Sequence, residues 1–228
     1  MRPEVRRVFL AVPNVIGYAR VALALAAFWC VSDARLFLPL YGLSCMLDAA
    51  DGWAARRLCQ CTLMGAVLDM VTDRSTTAGL LCVLCRMYPA RGAVMALQVL
   101  LGLDLSSHYM HMYASLSSGA PSHKAIDARR SWLLRLYYTS RAVLFVACAL
   151  NEAFFVALYA LRQDALGAAW AWWTPAWTAV LVAAAPVFAF KQAMNVIQLC
   201  GAAVRLAEID VARNWSASPK PEAGPRRK

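Results

Sequence analysis

Negative charge is scarce in this chain. Aspartate and glutamate together number 13 in 228 residues, against 23 lysines and arginines, and charged residues make up only 16% of the sequence. A soluble domain carries about a quarter charged residues, so an ordinary water-soluble fold is excluded. With 61% hydrophobic residues, a disordered chain is excluded too. Histidine is scarcer still, at three. The eight cysteines include one C-x-x-C, Cys82 and Cys85, but no second pair at zinc spacing, which excludes a structural zinc site. Cys30, Cys45, Cys82, Cys85, Cys148 and Cys200 lie in apolar stretches, where cysteine acts as a small hydrophobe. Internal repeats are missing. No secretory leader is expected, because the first apolar run is too long for a signal core and lacks a convincing cleavage site. No basic patch is interleaved with aromatics, which excludes nucleic acid as a partner despite a net charge of +10.

What the chain has in quantity is long apolar runs. Mean hydropathy is +0.51, and a spanning helix needs about 20 mostly apolar residues. Six runs qualify, at roughly 12–32, 36–56, 64–88, 92–113, 134–160 and 175–205. They are too long and too continuous for barrel strands, and lipid admits no third option. The expected fold is therefore all-α, a polytopic membrane protein with six transmembrane helices in one domain over 1–215. A basic tail over 216–228, rich in Pro, Lys and Arg, is expected to be disordered. With six spans both termini share a side. That side collects Arg2, Arg6, Arg7, Arg56, Arg57, Lys124, Arg129 and Arg130 with the basic tail, whereas the other side has chiefly Arg35, Arg86, Arg91 and Arg162. The excess of positive charge places the first side in the cytosol.

Against this background four aspartates stand out. Asp48 and Asp51 are three residues apart, and Asp69 and Asp73 are four apart. Each pair shares one face of a helix. Carboxylates at membrane depth are costly and mark functional sites. Two such helices side by side present four carboxylates to one small volume, where they repel unless a cation is present. Hard oxygen ligands of this kind suit Mg²⁺ or Mn²⁺, and two ions together clamp a diphosphate. Gly52, Ala55 and Gly65 keep the neighbouring surface clear of side chains, and Arg56 offers a guanidinium fork for phosphate.

These residues complete the pattern D-x-x-D-G-x-x-A-R, eight residues, G-x-x-x-D-x-x-x-D, filled by Asp48, Asp51, Gly52, Ala55, Arg56, Gly65, Asp69 and Asp73. The pattern resembles the signature of the CDP-alcohol phosphotransferase family. The resemblance implies six transmembrane helices, usually in a homodimer. It implies Asp48, Asp51 and Asp69 as metal ligands. Asp73 is implied both at the metals and as the base that deprotonates the attacking alcohol. Gly52, Ala55 and Arg56 are implied in the CDP site, where Gly65 also permits close approach. Trp53 fills a variable position where relatives often carry His.

Further pieces resemble one branch of that family, the eukaryotic phosphatidylinositol synthases: Val12–Arg20, Gly65–Arg74, Ser122–Asp127 and Tyr137–Arg141. This branch resemblance covers about residues 8–155; beyond it the expected similarity is mostly hydropathy. It implies CDP-diacylglycerol and myo-inositol as substrates and CMP as the released product. The corresponding membrane is the endoplasmic reticulum, with the active site facing the cytosol.

The inositol site is read from polar residues near the same end. Asp104, His108 and His111 share a helical face, Tyr137 and Arg141 are one turn apart, and Lys124 lies in the loop between. Asn14 either caps the first span or contacts the nucleotide. Two other readings stay open. A sibling enzyme using inositol phosphate, glycerol phosphate or serine would carry the same aspartates. A cation transporter built on intramembrane carboxylates would need no nucleotide pocket.

Overall fold

The computed structural model describes residues 2–118, 140–164 and 173–215. Among these the chain forms seven α-helices and no strand. They are α1 (Pro3–Phe9), α2 (Val12–Trp29), α3 (Ala34–Arg57), α4 (Leu63–Met87), α5 (Arg91–Ser117), α6 (Arg141–Asp164) and α7 (Thr174–Asp210), the last followed by a π-helical turn, Val211–Trp215. Helices α2 to α7 coincide with the six apolar runs. Residues 134–139 of the fifth run and the tail 216–228 lie outside the described residues.

Three helices are long and apolar enough to cross a membrane by length and composition: Val12–Trp29, Ala142–Gln163 and Thr174–Arg213. The other three are long enough but more polar. Helix α3 holds Asp48, Asp51, Arg56 and Arg57, α4 holds Asp69, Asp73 and Arg74, and α5 holds Asp104 among serines and histidines. Large apolar side chains cover the outside, including Leu25, Met46, Leu63, Val99 and Val182, with Trp29 91% exposed. That surface fits lipid better than water.

Local sequence explains the helix ends. Helix α1 starts with Pro3, carries Glu4 in its first turn and Arg6 and Arg7 in its last, in accord with the helix dipole. Asp33 caps α3 by accepting from Arg35 N at 2.9 Å. Thr62 caps α4 by accepting from Gly65 N at 3.0 Å. Only Leu58–Thr62 separates α3 from α4, and Cys59 turns the chain with a φ of 53°. With α2 packed against both α3 and α4, this short connection turns the chain back on itself. It sets the second half of α3 level with the first half of α4, and so places the two aspartate pairs at one depth.

The core lies at the far end of these helices. Phe37 stacks on Tyr41 with centroids 5.1 Å apart and meets Tyr159 at 4.2 Å, among Leu80, Leu81, Leu84 and Phe155. The Tyr159 hydroxyl donates to Val31 O at 2.8 Å, so its polar end is satisfied. Helix α7 packs along both α5 and α6, with Phe188 stacked on Phe154 at 4.1 Å. None of the eight cysteines forms a disulfide.

Candidate active site

Three helices build the site. Helix α3 supplies Asp48 and Asp51, α4 supplies Asp69 and Asp73, and α2 supplies Arg20. Carboxylate oxygens of Asp48, Asp51 and Asp69 lie within 4.8 Å of one another. The Arg20 side chain, only 3% exposed, reaches all four aspartates. Its Nη1 is 2.7 Å from Asp51 Oδ2 and 2.8 Å from Asp69 Oδ1, and its Nη2 is 2.7 Å from Asp48 Oδ1 and also bonds Asp73 Oδ1. The two aspartate pairs therefore converge as their spacing predicts. One guanidinium offsets one of four carboxylate charges, and Asp48 and Asp69 remain partly open to solvent. This donor set of hard, clustered, accessible oxygens fits a divalent cation.

Beside the aspartates lies a cavity of about 130 Å³, lined by Asn14, Gly17, Asp51, Gly52, Ala55, Gln60, Thr62, Gly65 and Asp69 among others. Of the residues expected at the nucleotide, Asn14, Gly52, Ala55 and Gly65 all line it. Arg56 is not in the lining, but its guanidinium lies alongside: a Cβ on Gly52 would come 3.2 Å from Arg56 Nη1. Gly65 is a glycine for a steric reason. A Cβ there would sit 2.7 Å from Asn14 Oδ1 and 3.0 Å from Thr62 Oγ1. Asn14 does not cap α2, whose N-cap is Ala11. Its amide donates to Val8 O at 2.6 Å, tying α1 to α2, while the residue lines the cavity.

The remaining question is which proteins share this arrangement. The family described as CDP-alcohol phosphatidyltransferase matches residues 10–128, which include every aspartate of the cluster and Arg20. A CDP-diacylglycerol–inositol 3-phosphatidyltransferase of Saccharomyces cerevisiae is 48% identical over 92% of this chain and 91% of its own. The chain belongs to the CDP-alcohol phosphatidyltransferase family. A Homo sapiens protein with the same description is 41% identical over 90% of this chain and 95% of its own. An Arabidopsis thaliana relative is 43% identical over 72% and 71%. No solved structure gives a significant match. The enzymes of this family are transferases, and the long apolar helices of this member fit a membrane protein.

The expected acceptor side is only partly in view. Asp104 is buried on α5 and binds Arg74 Nη1 at 2.7 Å, and Arg74 in turn approaches Asp73 Oδ2 at 3.6 Å. His108 Nδ1 lies 2.8 Å from Asp104 O. Asp104 and His108 thus share one polar neighbourhood, linked to Asp73 through Arg74. Lys124 and Tyr137 lie outside the described residues, as does the side chain of Arg141, whose backbone opens α6. Helix α7 adds buried Lys191, bonded to Asn195 Oδ1 at 2.6 Å. Lys191 had no motif to mark it. Arg20 had a signal, as the lone charge inside an apolar helix, but its spacing does not say which carboxylates it meets.

Proposed function

We propose that this protein is a CDP-diacylglycerol–inositol 3-phosphatidyltransferase, transferring a phosphatidyl group from CDP-diacylglycerol to myo-inositol with release of CMP. The observation that carries this reading is the meeting of Asp48, Asp51 and Asp69 within 4.8 Å beside the glycine-lined cavity. The printed description of the relatives supplies the substrates.

The chain's own residues divide the work. Asn14, Gly52, Ala55 and Gly65 admit the cytidine end, and Arg56 holds phosphate charge. Asp48, Asp51, Asp69 and Asp73 hold Mg²⁺ or Mn²⁺, two ions, which when bound stabilise charge on the diphosphate. Asp73 takes the proton from the inositol hydroxyl. That oxygen attacks the β-phosphorus, the bond from β-phosphorus to the bridging oxygen breaks, and CMP leaves with the electron pair. Asp104, His108, Arg141, Tyr137 and Lys124 form the acceptor side. Alignment of the reacting groups provides much of the rate, as in other phosphoryl transfers.

Helices α2 to α7 are the six spans, and the aspartates lie at the cytosolic ends of α3 and α4. A lipid substrate explains this placement: its acyl chains stay in the bilayer while its headgroup enters from the interface. The membrane is that of the endoplasmic reticulum, and the working unit is a homodimer. The test is an assay of purified protein with CDP-diacylglycerol, Mg²⁺ or Mn²⁺ and a panel of labelled alcohols. Inositol should be the preferred acceptor; preference for glycerol phosphate, serine or inositol phosphate would overturn the assignment.

A further inference from the structure

Glu152 is a second kind of intramembrane carboxylate. It lies midway along α6, outside the aspartate signature. One carboxylate oxygen accepts from the Tyr41 hydroxyl of α3, and the other accepts from Thr77 Oγ1 of α4 at 3.0 Å. These two donors sit directly behind the aspartates. Tyr41 is seven residues, two turns, before Asp48, and Thr77 is four residues, one turn, after Asp73. Tyr41 is fully buried and Thr77 nearly so, so both contacts are held in place by packing. Each oxygen of Glu152 thus engages one of the two helices that carry the metal-ligating aspartates. A carboxylate at this depth is costly to hold, which makes a role beyond filling space the default reading.

We propose that Glu152 is a positioning residue that fixes the gap between α3 and α4, and with it the fit of the aspartate cluster to its cation. The proposal rests on the metal-binding reading given above. Mg²⁺ demands near-ideal octahedral geometry, so a small slide of α3 against α4 spreads the ligand oxygens and weakens binding. Groups behind a metal site that orient its ligands commonly change affinity by about 10–100-fold when removed. Gln in place of Glu152 keeps a carbonyl oxygen for one hydroxyl and an amide that donates to the other, so it preserves the tie without its charge.

The experiment is Mn²⁺ binding to the purified full-length protein without substrate, read from loss of the free Mn²⁺ electron paramagnetic resonance signal. Glu152→Leu should weaken binding by about tenfold or more. Glu152→Gln should stay near wild type, and Tyr41→Phe and Thr77→Val should each fall between. At saturating Mn²⁺, KM for inositol and for CDP-diacylglycerol should be unchanged. The Gln, Phe and Val variants keep the test decisive if Glu152→Leu does not fold. Wild-type Mn²⁺ affinity in the Leu, Phe and Val variants would overturn the proposal. So would a raised inositol KM at unchanged Mn²⁺ affinity, which would place Glu152 on the acceptor. A wild-type protein that binds no Mn²⁺ would instead sink the underlying metal reading, and the positioning role with it.

Discussion

Arg20 Nη1 donates to Asp51 on α3 at 2.7 Å and to Asp69 on α4 at 2.8 Å. One nitrogen of a buried side chain thus joins the two halves of the aspartate signature. Breaking a buried ion pair costs about 3–5 kcal/mol, mainly through the charge left behind, and solvent at Asp48 and Asp69 puts this case at the low end. Arg20→Met should therefore melt earlier than wild type in chelator. It should also gain more from added Mn²⁺, because the ion meets carboxylates that Arg20 no longer neutralises. Thermal unfolding with and without Mn²⁺ checks this; an equal gain in both proteins would contradict it.

Asp73, proposed above as the base, is bonded by Arg20 and lies 3.6 Å from Arg74 Nη2. Asp73→Asn keeps the shape and an acceptor oxygen but cannot take a proton. It should retain CMP binding and lose transfer by about 10²-fold or more. Nucleotide binding by calorimetry and turnover at saturating inositol separate the two. Unchanged turnover would remove Asp73 from that role.

Gly65 leaves no room for a methyl group. In Gly65→Ala the new Cβ starts 2.7 Å from Asn14 Oδ1, so Asn14 must move into the cavity or away from Val8. The KM for CDP-diacylglycerol should rise by roughly tenfold, about 1.4 kcal/mol, with the KM for inositol little changed. Initial rates across both substrates test it. A selective rise in inositol KM would place the cavity on the acceptor instead.

Gly79 offers a test of the fold away from the chemistry. A Cβ there would lie 2.6 Å from Phe28 Cζ, and Phe28 is packed edge-on against Tyr41 at 6.0 Å. Gly79→Ala should lower stability by about 1–3 kcal/mol, the usual cost of overpacking. Gly92→Ala, with nothing within 4 Å of its Cβ, should be neutral or slightly stabilising in its helix. Comparison of their melting temperatures decides it.

The helices and the aspartate cluster are legible in the sequence for one reason: both depend on spacing along a single chain segment. Six apolar runs give α2 to α7, and the Asp48/Asp51 and Asp69/Asp73 spacings give two carboxylate faces. Helix α1 was not legible because Pro3–Phe9 is too short for a hydropathy window. Charge in α3 and α4, and serines and histidines in α5, lower the very apolar signal that marks a span, so these three helices are the least membrane-like by composition. What crosses between helices stays hidden. Nothing in the spacing of Arg20 shows that α2 turns it toward Asp51 and Asp69, and nothing in that of Glu152 shows that it meets Tyr41 and Thr77, 111 and 75 residues away. The same holds for Asp104: its helical face is readable, but its pairing with Arg74 is not.

The most direct test of the account is product analysis in one reaction. Purified protein is given CDP-diacylglycerol and labelled myo-inositol, with Mn²⁺ or with excess chelator, alongside Asp48→Ala, Asp51→Ala and Asp69→Ala. The account predicts phosphatidylinositol and CMP in equal amounts from the wild type with Mn²⁺. It predicts almost none with chelator or from the three variants. Full turnover in chelator, wild-type rates in any of these variants, or CMP release without labelled lipid would contradict it.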